Sequence, residues 1–186
     1  MILHTKISTL VFAYICLALS VDAIASEYQT KSYTLHEHGS ITVVFPNKWK
    51  DSVQQAPDDF PSTINFKARS GLPFDVLITP LWAFNNSAPM SDEKVYNTVT
   101  NSLSNLKGAA VEKNIVINEI IGSHGKGYYF SITDKDPKPN EYKYLSQGII
   151  KVNELTVTFT ILTNDGQSEI VNKAIRVIKK LTQNQT

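Results

Sequence analysis

Sulfur is scarce in this sequence: Cys16 is its one cysteine, and it falls inside an apolar N-terminal run. Once that run is removed no thiol remains, which excludes a disulfide, a cysteine metal ligand and a cysteine nucleophile. Arginine is scarce too, with Arg69 and Arg176 far apart and a formal net charge of only +1. Neither the basic footprint of a nucleic-acid binder nor a polybasic membrane patch is present. No apolar stretch reaches the roughly 20 residues that a membrane-spanning helix needs, which argues against stable insertion. G-x-S-x-G and HExxH are missing as well, so no signature of a hydrolase or metalloprotease offers itself.

What is there begins with a leader. Lys6, an apolar run from Leu10 to Leu19 and small residues ending Ala23-Ile24-Ala25 have the layout of a cleaved secretory signal, residues 1–25. Ile15 before Cys16 argues against lipid attachment, because a lipobox needs a small residue there. The expected product is a single exported domain, 26–186, periplasmic or secreted. With no disulfide it must be held together by its packed core.

LTVTFTILT, Leu155 to Thr163, alternates Leu155, Val157, Phe159 and Ile161 with threonines, the period of a strand with one buried face. Strands are also predicted at Ile41 to Phe45, Thr63 to Ala68, Phe74 to Ile78, Ile115 to Ile121, Tyr128 to Thr133 and Ser146 to Val152, and more weakly at Tyr33 to His38. Two segments have helical period. Tyr96, Val99, Leu103 and Leu106 form a stripe behind a Ser91 cap, and Val171, Ala174, Ile175, Ile178 and Leu181 form another behind Asp165 or Ser168. The expectation is an α+β domain: a central, mostly antiparallel sheet with flanking helices.

GSHGKGYYF, Gly122 to Phe130, suggests a phosphate cradle, but Gly127 stands where a P-loop needs Ser or Thr, and the following residues favour a strand. It is predicted to be a hairpin turn whose glycines supply positive φ. His36 and His38, two apart on a predicted strand, could hold a metal if His124 joined them, although nothing in the sequence brings it there. Solvent-facing histidines are the competing reading. Asp134 and Asp136 have the spacing of a calcium loop without its glycine and distal glutamate, which leaves a solvated loop. Trp49, Trp82 and Phe84 follow strands and either pack over the core's edge or, gathered with Asp134 and Asp136 at a sheet rim, form a patch for a partner.

ITVVFPNKW (Ile41 to Trp49), the central helix, the strand start at Gly127-Tyr128-Tyr129, GIIKVNELTVTFTILT (Gly148 to Thr163) and the final amphipathic helix occur in an order that resembles the PsbP-like family, from Tyr33 to Leu181. The resemblance implies an α/β/α sandwich. It also implies a non-catalytic accessory or adaptor protein, without cofactor, that docks onto a larger protein partner. A metal or small-ligand binder using His36 and His38 is the alternative, and a hydrolase with an unrecognised site is a third reading.

Overall fold

The computed structural model describes residues 27–56, 60–83 and 89–185. The leader expected over 1–25, Phe84 and the Asp58-Asp59 pair lie outside the described residues. Ten strands and two helices follow in the order β1 (Tyr28–Thr34), β2 (Ser40–Pro46), β3 (Trp49–Gln54), β4 (Thr63–Ala68), β5 (Asp75–Leu81), α1 (Asp92–Leu106), β6 (Asn118–Gly122), β7 (Gly125–Thr133), β8 (Tyr144–Val152), β9 (Leu155–Thr163), α2 (Ser168–Lys179) and β10 (Thr182–Asn184). They build a seven-stranded sheet, β3-β4-β5-β9-β8-β7-β6, and a three-stranded sheet, β1-β2-β10. All of these pairings are antiparallel.

The two faces of the large sheet are covered differently. On one face α1 packs against β7 and β8, with Val95 and Val99 set on Phe130, Ile132 and Ile149. Each buried valine contributes about 1.5–3 kcal/mol relative to leaving it exposed. On the other face α2 and the small sheet lie side by side. Phe45 of β2 meets Phe66 of β4 with ring centroids 4.7 Å apart, and Ala174, Val177 and Ile178 of α2 join the same core. α2 crosses this face obliquely. It starts beside the β4–β5 loop, where Gln167 donates to the Leu72 and Pro73 carbonyls, and ends at β6, where the Lys179 carbonyl accepts from the Ser123 N–H at 2.8 Å.

Ser91 caps α1 as expected, its hydroxyl accepting from the Lys94 N–H. The buried stripe is shifted, however: Val95 is buried and Tyr96 is 43 % exposed, its ring edge-on to Tyr128. α2 is preceded by Gln167 rather than capped by Asp165 or Ser168, and no side chain closes its first turn. β3 and β10 did not show in the sequence because WKDSVQ buries only Trp49 and TQN only Gln183, so neither carries an alternation.

Gly122 to Phe130 forms the β6–β7 hairpin, with Gly122 opposite Gly125. Only Gly125 of its glycines has positive φ. Gly127 is required for a different reason, since a Cβ there would lie 1.9 Å from the Ile149 carbonyl oxygen of β8. Lys126 is drawn to Asp92 (3.4 Å) and Glu119 (3.6 Å), an internal use for its ammonium that agrees with a turn and not a phosphate cradle.

Candidate functional site

Along β7, β8 and β9 the residues facing α2 change character towards one end of the sheet. β9 presents Leu155, Val157, Phe159 and Ile161 to the core and then Thr163. β8 presents Val152, Ile150 and Gly148 and then Ser146, while β7 presents Tyr129 and then Ser131 and Thr133. Because alternate residues share a face and Ser131 pairs with Ser146, which pairs with Ile161, these positions lie side by side. The oblique path of α2 leaves this corner uncovered. The result is a cleft of about 450 Å³, within the ~300–1,000 Å³ usual for small-molecule sites.

Its floor is made of hydroxyls. Ser131 Oγ and Ser146 Oγ are 2.7 Å apart, and Ser146 and Thr163 are both buried. Ser168, Val171 and Asn172 of α2 form one wall and Tyr144 and Asn164 part of the other. Glu112 closes the β7 edge, accepting the Thr133 N–H (2.9 and 3.1 Å at its two oxygens) and the Thr133 hydroxyl (2.6 Å). Burial pushes the Glu112 carboxyl up, but the Thr133 hydroxyl and N–H outweigh it and hold the group below its ordinary value. Outside the rim the Tyr144 hydroxyl (2.6 Å) and Lys143 (3.0 Å) hold Asp165 ionised, its carboxyl lowered first by Tyr144 and then by Lys143.

Gln167 fastens the α2 end of the cleft. Its Oε1 accepts from the Asn164 N–H at 2.7 Å while Nε2 donates to the Leu72 and Pro73 carbonyls at 3.2 and 3.1 Å. One buried side chain thereby ties the β9–α2 link to the β4–β5 loop. On the far side of Gly166 and Gln167 lies a second cleft lined by Trp49, Leu72, Phe74 and Ile170 and flanked by Lys48 and Lys173.

The sites read from the sequence are not assembled. His36 and His38 do not share a strand: β1 ends at Thr34, and the Leu35 N–H donates to the Gly39 carbonyl to close a turn in which Glu37 has φ +59° and Gly39 φ +75°. His38 stacks on the Trp82 indole, centroids 4.6 Å apart, and His124 is exposed in the β6–β7 turn with Nε2 3.4 Å from Thr182 Oγ1. Among the described residues no group of three His, Cys, Asp or Glu side chains could hold a metal ion.

Nor do the aromatic residues gather. Trp49 is only 2 % exposed, packed on Phe66 and Phe74, and it offers no ring to a partner. Trp82, half-buried against the core, follows Leu81 at the end of β5 opposite to Asp75. Trp49 and Asp134 are near the Asp75 end, so the length of β5, about 20 Å at ~3.3 Å per residue, separates them from Trp82. Asp134 is occupied within its own loop, Oδ1 accepting from the Asp136 N–H, and bridges to Ala110.

Ser131, Ser146, Thr163 and Asn172 were not singled out in the sequence. A signal was nevertheless present, because each of three strands shows a hydroxyl in the same phase as its buried apolar residues.

No family model matches the chain, and no curated protein matches it. Among solved structures it is similar to the solution structure of cyanobacterial PsbP (CyanoP) from Synechocystis sp. PCC 6803, with a TM-score of 0.47 and 13 % identity over 90 % of this chain and 99 % of that one.

Proposed function

We propose that the chain is an exported accessory module on an α/β/α scaffold that works by binding, not catalysis, and takes its ligand in the cleft between α2 and the ends of β7 and β8. One observation carries the reading. A face that is apolar along most of three adjacent strands turns to hydroxyls at Ser131, Ser146 and Thr163, where the covering helix also leaves about 450 Å³ open. Ser131 and Ser146 satisfy one another, but the buried Thr163 hydroxyl has no side-chain partner among the described residues, a cost in free energy that a domain needing only a core would not carry. Export rests on the Lys6, Leu10 to Leu19 and Ala23 to Ala25 pattern.

Thermal unfolding of residues 26–186 against a library of neutral and charged small molecules tests the reading, because a ligand bound by the native state alone raises stability. Hits are expected to shift the amide resonances of Ser146, Thr163 and Asn172. A library without hits, or hits that map elsewhere, would refute it.

Docking onto a larger protein is favoured by a separate observation. Among the described residues no helix or strand covers the α1 side of β3, β4, β5 and β9, where Leu77, Thr79, Thr158, Thr160 and Leu162 are partly open to solvent. A partner captured through this face should be lost on Thr160→Arg and retained on Ser131→Arg; the opposite result would move the contact to the cleft side.

A further inference from the structure

We propose that the cleft selects a neutral, hydroxyl-rich ligand of the saccharide class, an inference that rests on the binding reading above and adds its chemistry. Among the described residues the lining holds no lysine, arginine or histidine, so an anion entering it meets no cation there. Its carboxylate is already committed: Glu112 takes both the N–H and the hydroxyl of Thr133. Asp165, just outside the rim, is likewise held by Tyr144 and Lys143. A cationic ligand would have to break one of these arrangements to find its counter-charge.

What remains open is of another kind. The hydroxyls of Thr163 and Ser168 and the amide of Asn172 make no side-chain hydrogen bond among the described residues, and all three line the cleft. In the Ser131–Ser146 pair one hydroxyl donates to the other, so the accepting partner keeps its own proton to offer. Hydroxyls and amides both give and accept hydrogen bonds, as every sugar hydroxyl does. Val171 and the Tyr144 ring supply apolar surface in the same lining, which suits the C–H faces of a pyranose. One face of Tyr144 already carries the Lys143 ammonium, 5.4 Å from the ring centroid.

The test is amide NMR titration of residues 26–186 with glucose, galactose, N-acetylglucosamine and maltose in turn, and with inorganic phosphate, glutamate and a dialanine peptide as charged and peptide probes. A saccharide is expected to give saturable shifts at Ser146, Thr163, Ser168 and Asn172. Thr163→Val, nearly equal in volume, and Asn172→Ala, on the exposed helix surface, should each weaken it about fivefold, the worth of one neutral hydrogen bond. If no saccharide shifts the cleft while phosphate, glutamate or the peptide does, the saccharide class is wrong and the binding reading stands. Silence from every probe overturns the saccharide proposal and counts against the binding reading as well. Unchanged saccharide affinity in both variants overturns the assignment to this cleft.

Discussion

Replacing Gln167 with methionine removes one donor and one acceptor group from the α2 end of the cleft while keeping the length and volume of the side chain. Three hydrogen bonds are lost, from the Asn164 N–H and to the Leu72 and Pro73 carbonyls. At about 1 kcal/mol net for each, the loss is about 3 kcal/mol if water cannot replace the side chain. Gln167 is 5 % exposed, yet it lies between two clefts, and Asn164 lines the first of them, from which water can take over its N–H. If only the two carbonyl contacts count, the loss is about 2 kcal/mol. For a domain of this size 2–3 kcal/mol lowers the melting temperature by roughly 4–12 °C, and urea denaturation should show a reduced midpoint with unchanged slope. Amide exchange should accelerate in 69–74 and in the first turn of α2, with β8 and β9 unaffected. A loss below about 0.5 kcal/mol, within the range of ordinary surface substitutions, would refute the argument that this one side chain ties the two segments together.

Gly39→Ala should cost more than about 2 kcal/mol, because φ is +75° there and a Cβ would lie 2.0 Å from the Asn184 carbonyl oxygen; a urea midpoint equal to that of the parent would show that β10 is free to move aside. Val99→Ala should cost about 2 kcal/mol through lost burial and a small cavity, and Tyr96→Ala less, since Tyr96 is 43 % exposed; equal losses on chemical denaturation would contradict the placement of α1. The Glu112 carboxyl lies below its ordinary value in the folded protein, so its stabilising contribution is present above the unfolded carboxyl value and is lost as pH falls through the folded one. Stability of Glu112→Gln, followed by urea midpoints from neutral to acidic pH, should therefore fall less steeply than that of the parent; identical slopes would mean that the Thr133 contact contributes nothing.

Much of the fold was legible. β9 was read with its observed ends, and β4 likewise, because each strand alternates and one of its faces is buried. Both helices were found from their stripes, and the Ser91 cap was placed correctly. The failures share a cause. His36 to His38 were extended into a strand because a turn held by Glu37 and Gly39 in positive φ leaves little trace beyond one glycine. β3 and β10 are edge strands of their sheets, defined by backbone pairing with β4 and β2 and not by their own side chains.

The candidate site shows the same division more sharply. His36, His38, Trp49, Trp82, Asp134 and Asp136 attracted notice as residue types with chemical potential, but the length of the sheet separates Trp82, with His38 stacked on it, from Trp49 and Asp134 at the other end. Ser131, Ser146 and Thr163 attracted none, being ordinary strand residues.

By itself the sequence determined both helices and those strands whose residues alternate, together with the face such strands bury, since periodicity is a property of neighbouring residues and burial of apolar surface drives it. Its apolar leader pattern, its single cysteine and its sparse arginines likewise follow from order and composition alone. Only the tertiary structure decided that β9 is inserted between β5 and β8, that α2 runs obliquely from the β4–β5 loop to β6, and hence that three hydroxyls from β7, β8 and β9 share an uncovered corner. Strand order and helix path depend on how all the apolar faces are buried at once, and no single segment contains that information.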